Sequence, residues 1–257
     1  MPRDLLRRSG ALAAIFPVLA IVVFGAAPAS AAIQAGPIAD RTSTRAGYPA
    51  GIPLPPRTLV MTIDDGPGPL NVAIGTFLHE HGIRATFFVN GYRMDPRPES
   101  FADLDTLVRL GHQIGNHNEN HFRMTLDPSR APEEVRATWR RIAPFLGNGL
   151  HPFRPPYAAW SAAVHAALQG LPDLALVSGP MFFEIDGHDY QCDDGGLTVE
   201  QCVDRYMTEL LERPDENGII VLHEHVAVVQ PTYHLEMIQS LVARIEGSDP
   251  TAPSLCL

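Results

Sequence analysis

Thr58-Leu59-Val60-Met61-Thr62-Ile63-Asp64-Asp65-Gly66-Pro67 is the stretch on which the fold turns. Its first part is apolar and β-branched and reads as a buried strand. Two carboxylates follow at once, and then the turn dipeptides Asp-Gly and Gly-Pro. Working outward, the same alternation repeats along the chain. A helix is predicted over 71–81, stopped by Gly82, and a strand over 85–89. A helix over 101–110 ends near Gly111, with a strand over 112–116. Residues 133–146 read as helical despite Pro144. Residues 174–177 and 182–185 read as strands. Thr198-Val199-Glu200-Gln201 has the form of a capping box opening a helix to Arg213. A buried strand over 218–222 and a helix over 232–245 close the pattern. Strands alternating with helices indicate an α/β fold with mostly parallel strands.

The composition suits a globular domain. The 257 residues are 45% hydrophobic and 19% charged, enough for one α/β domain with a sizeable core. The beginning differs in kind. Arg3, Arg7 and Arg8 precede an apolar run over 11–27, followed by Ala27-Pro28-Ala29-Ser30-Ala31-Ala32. This reads as a secretory signal peptide over 1–31, cleaved after Ala31. An uncleaved membrane anchor is the alternative. Residues 32–56, rich in Gly, Pro, Ala, Ser and Thr, read as a flexible lead-in. Residues 57–257 then read as the main folded domain. Export would place it in the periplasm, the cell wall or the extracellular space, with no membrane segment in the mature form.

Charge narrows the partners. The net charge is −10, every cation apart from histidine is Arg, and the leader accounts for Arg3, Arg7, Arg8 and one Asp. The remainder is more acidic still and has no basic cluster, which argues against nucleic acid. A neutral glycan would not be repelled. In an exported chain Cys192 and Cys202 are the natural disulfide pair, with two free thiols as the alternative and Cys256 left over.

The polar residues fall at strand ends. Asp64 and Asp65 follow the first strand, His117 follows a strand, and Arg154 and Tyr157 lie in a Pro-containing segment. Asp186 and Asp189 follow a strand, and His223 ends the last. In a parallel barrel these ends share one face, where active sites sit. Asp64-Asp65-Gly66-Pro67 alone is either a turn or a metal-binding pair. His117 and His121, four apart, would share one face of a helical turn and could bind one ion, or could be surface histidines. With Asp65 they make a two-His, one-carboxylate set with open positions. Arg154 could sit in a plain Pro-rich connector, and His223 could be a rim histidine. His79, His81 and His225 could form a second metal site but read as mostly solvated.

The chain resembles the NodB-homology polysaccharide deacetylases of carbohydrate esterase family 4. The resemblance rests on five motifs in order: 62–67 (Thr-Ile-Asp-Asp-Gly-Pro), 117–121 (His-Asn-Glu-Asn-His), 154–157 (Arg-Pro-Pro-Tyr), 186–190 (Asp-Gly-His-Asp-Tyr) and 220–223 (Ile-Val-Leu-His). It implies a distorted (β/α) barrel. It implies Asp64 as general base, Asp65, His117 and His121 as metal ligands, and Arg154 as the group orienting Asp64. The Tyr157 backbone N–H would bind the oxyanion, and His223 would be the general acid, tuned by Asp189. The metal would be Zn2+, with Co2+ or Ni2+ as alternatives. The reaction would remove N-acetyl groups from N-acetylglucosamine-type glycans. Asn118, Ala158 and Tyr190 depart from the family pattern, where Ser/Thr, Gly and Trp are usual. Two rival readings follow: an O-acetyl esterase acting on glycans such as xylan, and a non-catalytic glycan-binding relative.

Overall fold

The strand Thr58–Gly66 (β1) lies at the centre of the sheet, hydrogen-bonded on both sides. The computed structural model describes residues 54–224 and 230–247 and the strand Ser254–Leu255. The expected leader, nearly all of the lead-in, His225 and Cys256 lie outside those residues. β1 pairs in parallel with Ala85–Val89 (β2) and with Gly218–His223 (β6). β2 pairs in parallel with Gln113–Asn116 (β3), and Ser254–Leu255 (β7) adds to the start of β1. A second, two-stranded parallel sheet joins His151–Pro152 (β4) to Val177–Ser178 (β5). Single parallel bridges continue the ring, Asn116 of β3 to Phe153 just past β4 and Ile220 of β6 to Ile185 in the segment after β5. The strands therefore run in parallel, as the alternation predicts, round the incomplete barrel that the resemblance implies.

Burial explains why these runs became strands. All of β2, β1 from Leu59 to Asp64, and β6 from Gly218 to Leu222 are buried. Strands covered on both faces read as continuous apolar runs. The helices supply that cover: Asn71–Glu80 (α1), Ser100–Arg109 (α2), Ala131–Ile142 (α3), Ala162–Leu168 (α4), Val199–Leu211 (α5) and Tyr233–Gly247 (α6). Leu59, Met61 and Ile63 of β1 join Ile220 and Leu222 of β6, Ile74 and Leu78 of α1, and Met237 and Leu241 of α6 in the main core. The capping box is present: Gln201 N–H donates to Thr198 Oγ1 (3.3 Å) and Thr198 N–H to Gln201 Oε1 (2.9 Å).

Four expectations need correction. The helix expected over 133–146 ends at Ile142, and a 3-10 turn, Ala143–Phe145, carries the chain on. Pro144 has no N–H to continue the α ladder. The strand expected over 174–177 is reduced to Val177–Ser178, because Pro172–Leu174 forms a 3-10 turn. Residues 182–185 meet β6 only at their end, where Glu184 and Ile185 N–H donate to the Ile219 carbonyl (3.0 and 3.1 Å) and a single bridge joins Ile185 to Ile220. The Met181 and Phe182 carbonyls face the Arg154 side chain instead, each at 3.4 Å. The helix α4 was not expected. Its one sequence signal is Ser161, whose Oγ accepts from Val164 N–H at 3.3 Å as an N-cap.

Cys192 and Cys202 form a disulfide, with Cα atoms 5.9 Å apart. It ties the turn Asp189–Gln191 to α5 through two buried residues. Closing a loop this short is worth about 2–3 kcal/mol through the unfolded chain. Cys202→Ser should therefore lower Tm by roughly 4–12 °C at this domain size. Thermal melts of wild type with and without reductant should bracket the same shift.

Candidate metal and catalytic centre

The end of β1 decides the site. In a regular strand Asp64 and Asp65 would point to opposite faces. Here the register against β2 breaks between Ile63 and Gly66, and Asp65 takes φ 66°. A left-handed non-glycine residue at a bulge costs on the order of 1–3 kcal/mol and re-aims its side chain. The result brings both carboxylates toward His117. Its Nε2 lies 3.7 Å from Asp64 Oδ2 and 3.4 Å from Asp65 Oδ1.

The two carboxylates then differ in their partners. Asp64 is buried, and its Oδ1 accepts from Arg154 Nη1 at 2.7 Å. Arg154 is itself 1% exposed. It also donates to Thr62 Oγ1 (2.7 Å) and packs against the Phe88 ring, 4.4 Å from its centroid. Asp65 Oδ1 is buried without a hydrogen-bond partner. It lies 3.2 Å from His121 Nε2. Burial works to raise the Asp65 pKa, but the imidazoles of His121, His117 and His223 outweigh it and hold it well below the usual carboxylate range.

The ligand atoms of Asp65, His117 and His121 all lie within 4.8 Å of one another, the one such group among the described residues. The tautomers fit a cation. His117 Nδ1 is 2.8 Å from the Arg154 carbonyl, which can only accept, so Nε2 keeps its lone pair. Burial lowers the His117 pKa, which keeps the ring neutral. His121 Nδ1 meets the Tyr157 hydroxyl at 3.1 Å. Donation from Nδ1 there frees Nε2 in the same way. An orphaned carboxylate oxygen between two imidazole lone pairs suits a divalent ion, and the donor set suits zinc.

His117 and His121 converge, though not on the helical turn expected from their spacing. They lie on a loop in which Asn118 and His121 have φ 58° and 50°. Asn118 closes that loop: its Nδ2 donates to the Phe122 carbonyl (2.8 Å) and its Oδ1 accepts from Phe122 N–H (3.1 Å). The departure from Ser/Thr is thus accommodated, because Asn tolerates the left-handed region and bonds its own loop. Other supports were not read from the sequence. Asn90 Nδ2 donates to the His117 carbonyl at 2.6 Å, and buried Glu134 accepts from Asn120 N–H at 3.0 Å. Both are isolated polar residues with no spacing to mark them. Glu119 turns away to Thr138 and Arg141 on α3.

Across the site, His223 ends β6 opposite Asp64. Asp189 is fully buried and takes both His223 donors, Nδ1–H and N–H, at 2.7 Å each. Burial alone would lower the His223 pKa. The Asp189 carboxylate, then Asp64 and Asp65, overcome it and raise the imidazole to about 9. Tyr190 stands edge-on to His223 with ring centroids 5.0 Å apart. Tyr157 is left-handed (φ 61°), and its ring is 55% exposed. His79 bonds the Leu110 carbonyl, and His81 pairs with Glu246, both away from this group.

Fold and site together define an α/β barrel with a two-histidine, one-aspartate centre flanked by an arginine-held aspartate and an aspartate-held histidine. The family model described as polysaccharide deacetylase matches residues 51–172, which include Asp64, Asp65, His117, His121, Arg154 and Tyr157. The resemblance to polysaccharide deacetylases of carbohydrate esterase family 4 is thus borne out over these residues. The chain is 29% identical over 188 residues to a chitin deacetylase of a Pestalotiopsis species, covering 71% of this chain and 58% of the relative. It is 31% identical over 173 residues to chitin deacetylase 1 of Cryptococcus neoformans var. grubii, covering 64% of this chain and 36% of the relative. The chain thus spans about half the length of these curated relatives. The solved family 4 carbohydrate esterase from Streptomyces lividans shares the fold, with TM-score 0.57 and 21% identity over 77% of this chain and 90% of that one. Among the described residues no helix is long and apolar enough to cross a membrane.

Proposed function

We propose that this chain is a metal-dependent hydrolase that removes N-acetyl groups from N-acetylglucosamine-type sugars in a polysaccharide or oligosaccharide and releases acetate. One observation carries the reading: adjacent carboxylates in unlike settings, Asp65 Oδ1 orphaned between two imidazoles and Asp64 held by Arg154. That is a division between ligand and base. Asp65, His117 and His121 would hold the ion, Zn2+ by their chemistry, with Co2+ or Ni2+ also suited. When bound, it supplies a Lewis acid that polarises the acetyl carbonyl and acidifies water.

The chain's own residues supply the proton transfers. Asp64 Oδ1 is occupied by Arg154, which leaves Oδ2, on the His117 side, to take the proton of the attacking water. The hydroxide equivalent adds to the acetyl carbon. The Tyr157 N–H, in the role the family motif implies, would donate to the carbonyl oxygen as it gains charge. His223 Nδ1 is committed to Asp189, so Nε2 is free to protonate the nitrogen as the C–N bond breaks. An amine leaves poorly without that proton, and a histidine raised to about 9 carries it at neutral pH. The products are acetate and a free amine. The same reading makes residues 57–257 the catalytic domain and 1–31 an export signal.

Acetate release from N-acetylglucosamine oligomers and from acetylated xylan tests the substrate class. Activity is expected on the oligomers, lost on chelation and restored by zinc. Release from xylan alone would overturn the N-acetyl reading.

A further inference from the structure

Glu224 is used by none of the chemistry above, yet it is 1% exposed beside the site. Its carboxylate reaches from the end of β6 to the loop that follows the two aspartates. Gly68 N–H donates to Oε2 at 3.1 Å and Leu70 N–H to Oε1 at 2.8 Å. Its own N–H donates to the Asp64 carbonyl at 2.8 Å. Gly68 has no room for a side chain, because a Cβ there would stand 2.6 Å from Glu224 Oε1. Leu70 is the residue on which α1 begins, so the carboxylate also faces the positive end of that helix. Burial nonetheless pushes the Glu224 carboxyl up to about 7 against these bonds. Two carboxyl oxygens meet the two converging N–H donors, whereas a neutral amide would turn an NH2 toward one of them.

The two aspartates depend on this loop unequally. Asp64 is in register with β6 and is fixed separately by Arg154. Asp65 lies in the break between Ile63 and Gly66, and its Oδ1 has no hydrogen bond to hold it. Its position follows the backbone of 66–70, which is tied by Glu224 and by Asn90 N–H to the Gly66 carbonyl at 2.8 Å.

We propose that Glu224 is a positioning residue for the metal ligand Asp65, locking the 66–70 loop to the strand that bears His223. The inference rests on Asp65 being a metal ligand. Groups that orient ligands in this way are worth about 10–100-fold in metal affinity. Zinc affinity is measured by chelator competition on the folded protein without substrate, so the result does not depend on which glycan is cleaved. Glu224→Gln should weaken zinc binding about tenfold or more, while kcat at saturating zinc falls much less and KM for the oligomer holds. Gly68→Ala displaces the same carboxylate from the other side and should reproduce the zinc defect, which covers the case in which Glu224→Gln folds poorly. Zinc affinity within twofold of wild type in a folded variant, whatever its Tm, would overturn the proposal. If neither wild type nor variants bind zinc, it is the metal reading itself that fails.

Discussion

Asp64→Asn is expected to reduce kcat for acetate release by roughly 10²–10⁴-fold, the range for losing a general base, with zinc affinity close to wild type. The geometry separates these outcomes. Asp64 Oδ1 belongs to Arg154, and only Oδ2 is available to a reacting water. An amide at this position keeps an oxygen for Arg154 but cannot take a proton. The proposed metal ligands, Asp65, His117 and His121, are untouched. Asp64→Ala should behave worse in a different way. It leaves a guanidinium that is 1% exposed without its carboxylate. Breaking a buried pair by removing one partner costs about 3–5 kcal/mol. Arg154 keeps Thr62 Oγ1 at 2.7 Å and the Phe88 face, so the loss should lie at the low end of that range. Single-turnover kinetics, zinc titration and melting of the two variants check this pattern. Equal acetate release by wild type and Asp64→Asn would remove Asp64 as the base, and equally slow release by both would remove the enzyme reading.

The sequence and the structure agree where a local signal decides. β1, β2 and β6 were legible because strands covered on both faces must be apolar throughout, and α5 because its capping box is a local pattern. What failed was set by distant partners. Residues 182–185 are apolar enough for a strand, but the carbonyls beside them turn to Arg154, which lies about thirty residues earlier. The histidine spacing suggested a helix, whereas Asn118 and contacts to α3 hold a loop that brings the two rings together by another route. The candidate set was readable because its members fall in short motifs, Asp64, Asp65, His117 and His223 at strand ends and the others in the loops between elements. Glu224, Glu134 and Asn90 were not, since each is one polar residue whose purpose appears only when its buried partner is placed. The sequence pattern thus carried the groups that would do the chemistry, and the structure was needed for those that hold them.

Asp189→Asn should move the alkaline limb of kcat to lower pH and cost most of the activity above neutrality. Asp189 is buried and receives both His223 N–H donors, so its negative charge acts on the imidazole through little solvent. Removing it leaves burial, the largest influence and a lowering one, opposed only by Asp64 and Asp65. His223 then loses its proton at lower pH, and the leaving amine has no donor. The same linkage governs stability. A histidine raised to about 9 when folded, from 6.5 when unfolded, stabilises fully below pH 6.5 and loses that contribution as pH rises through about 9. The shift corresponds to about 3 kcal/mol, counted once because the same contact holds Asp189 low. Wild-type Tm should therefore fall across that window, and the Asp189→Asn slope should flatten. Zinc adds a sharper condition. An ion held by Asp65 cancels part of the carboxylate field that raises His223. The alkaline limb of the loaded enzyme should accordingly lie below the midpoint of the stability titration of the metal-free protein. If Asp189→Asn leaves the alkaline limb in place while Tm falls, Asp189 serves the fold alone and another group donates the proton.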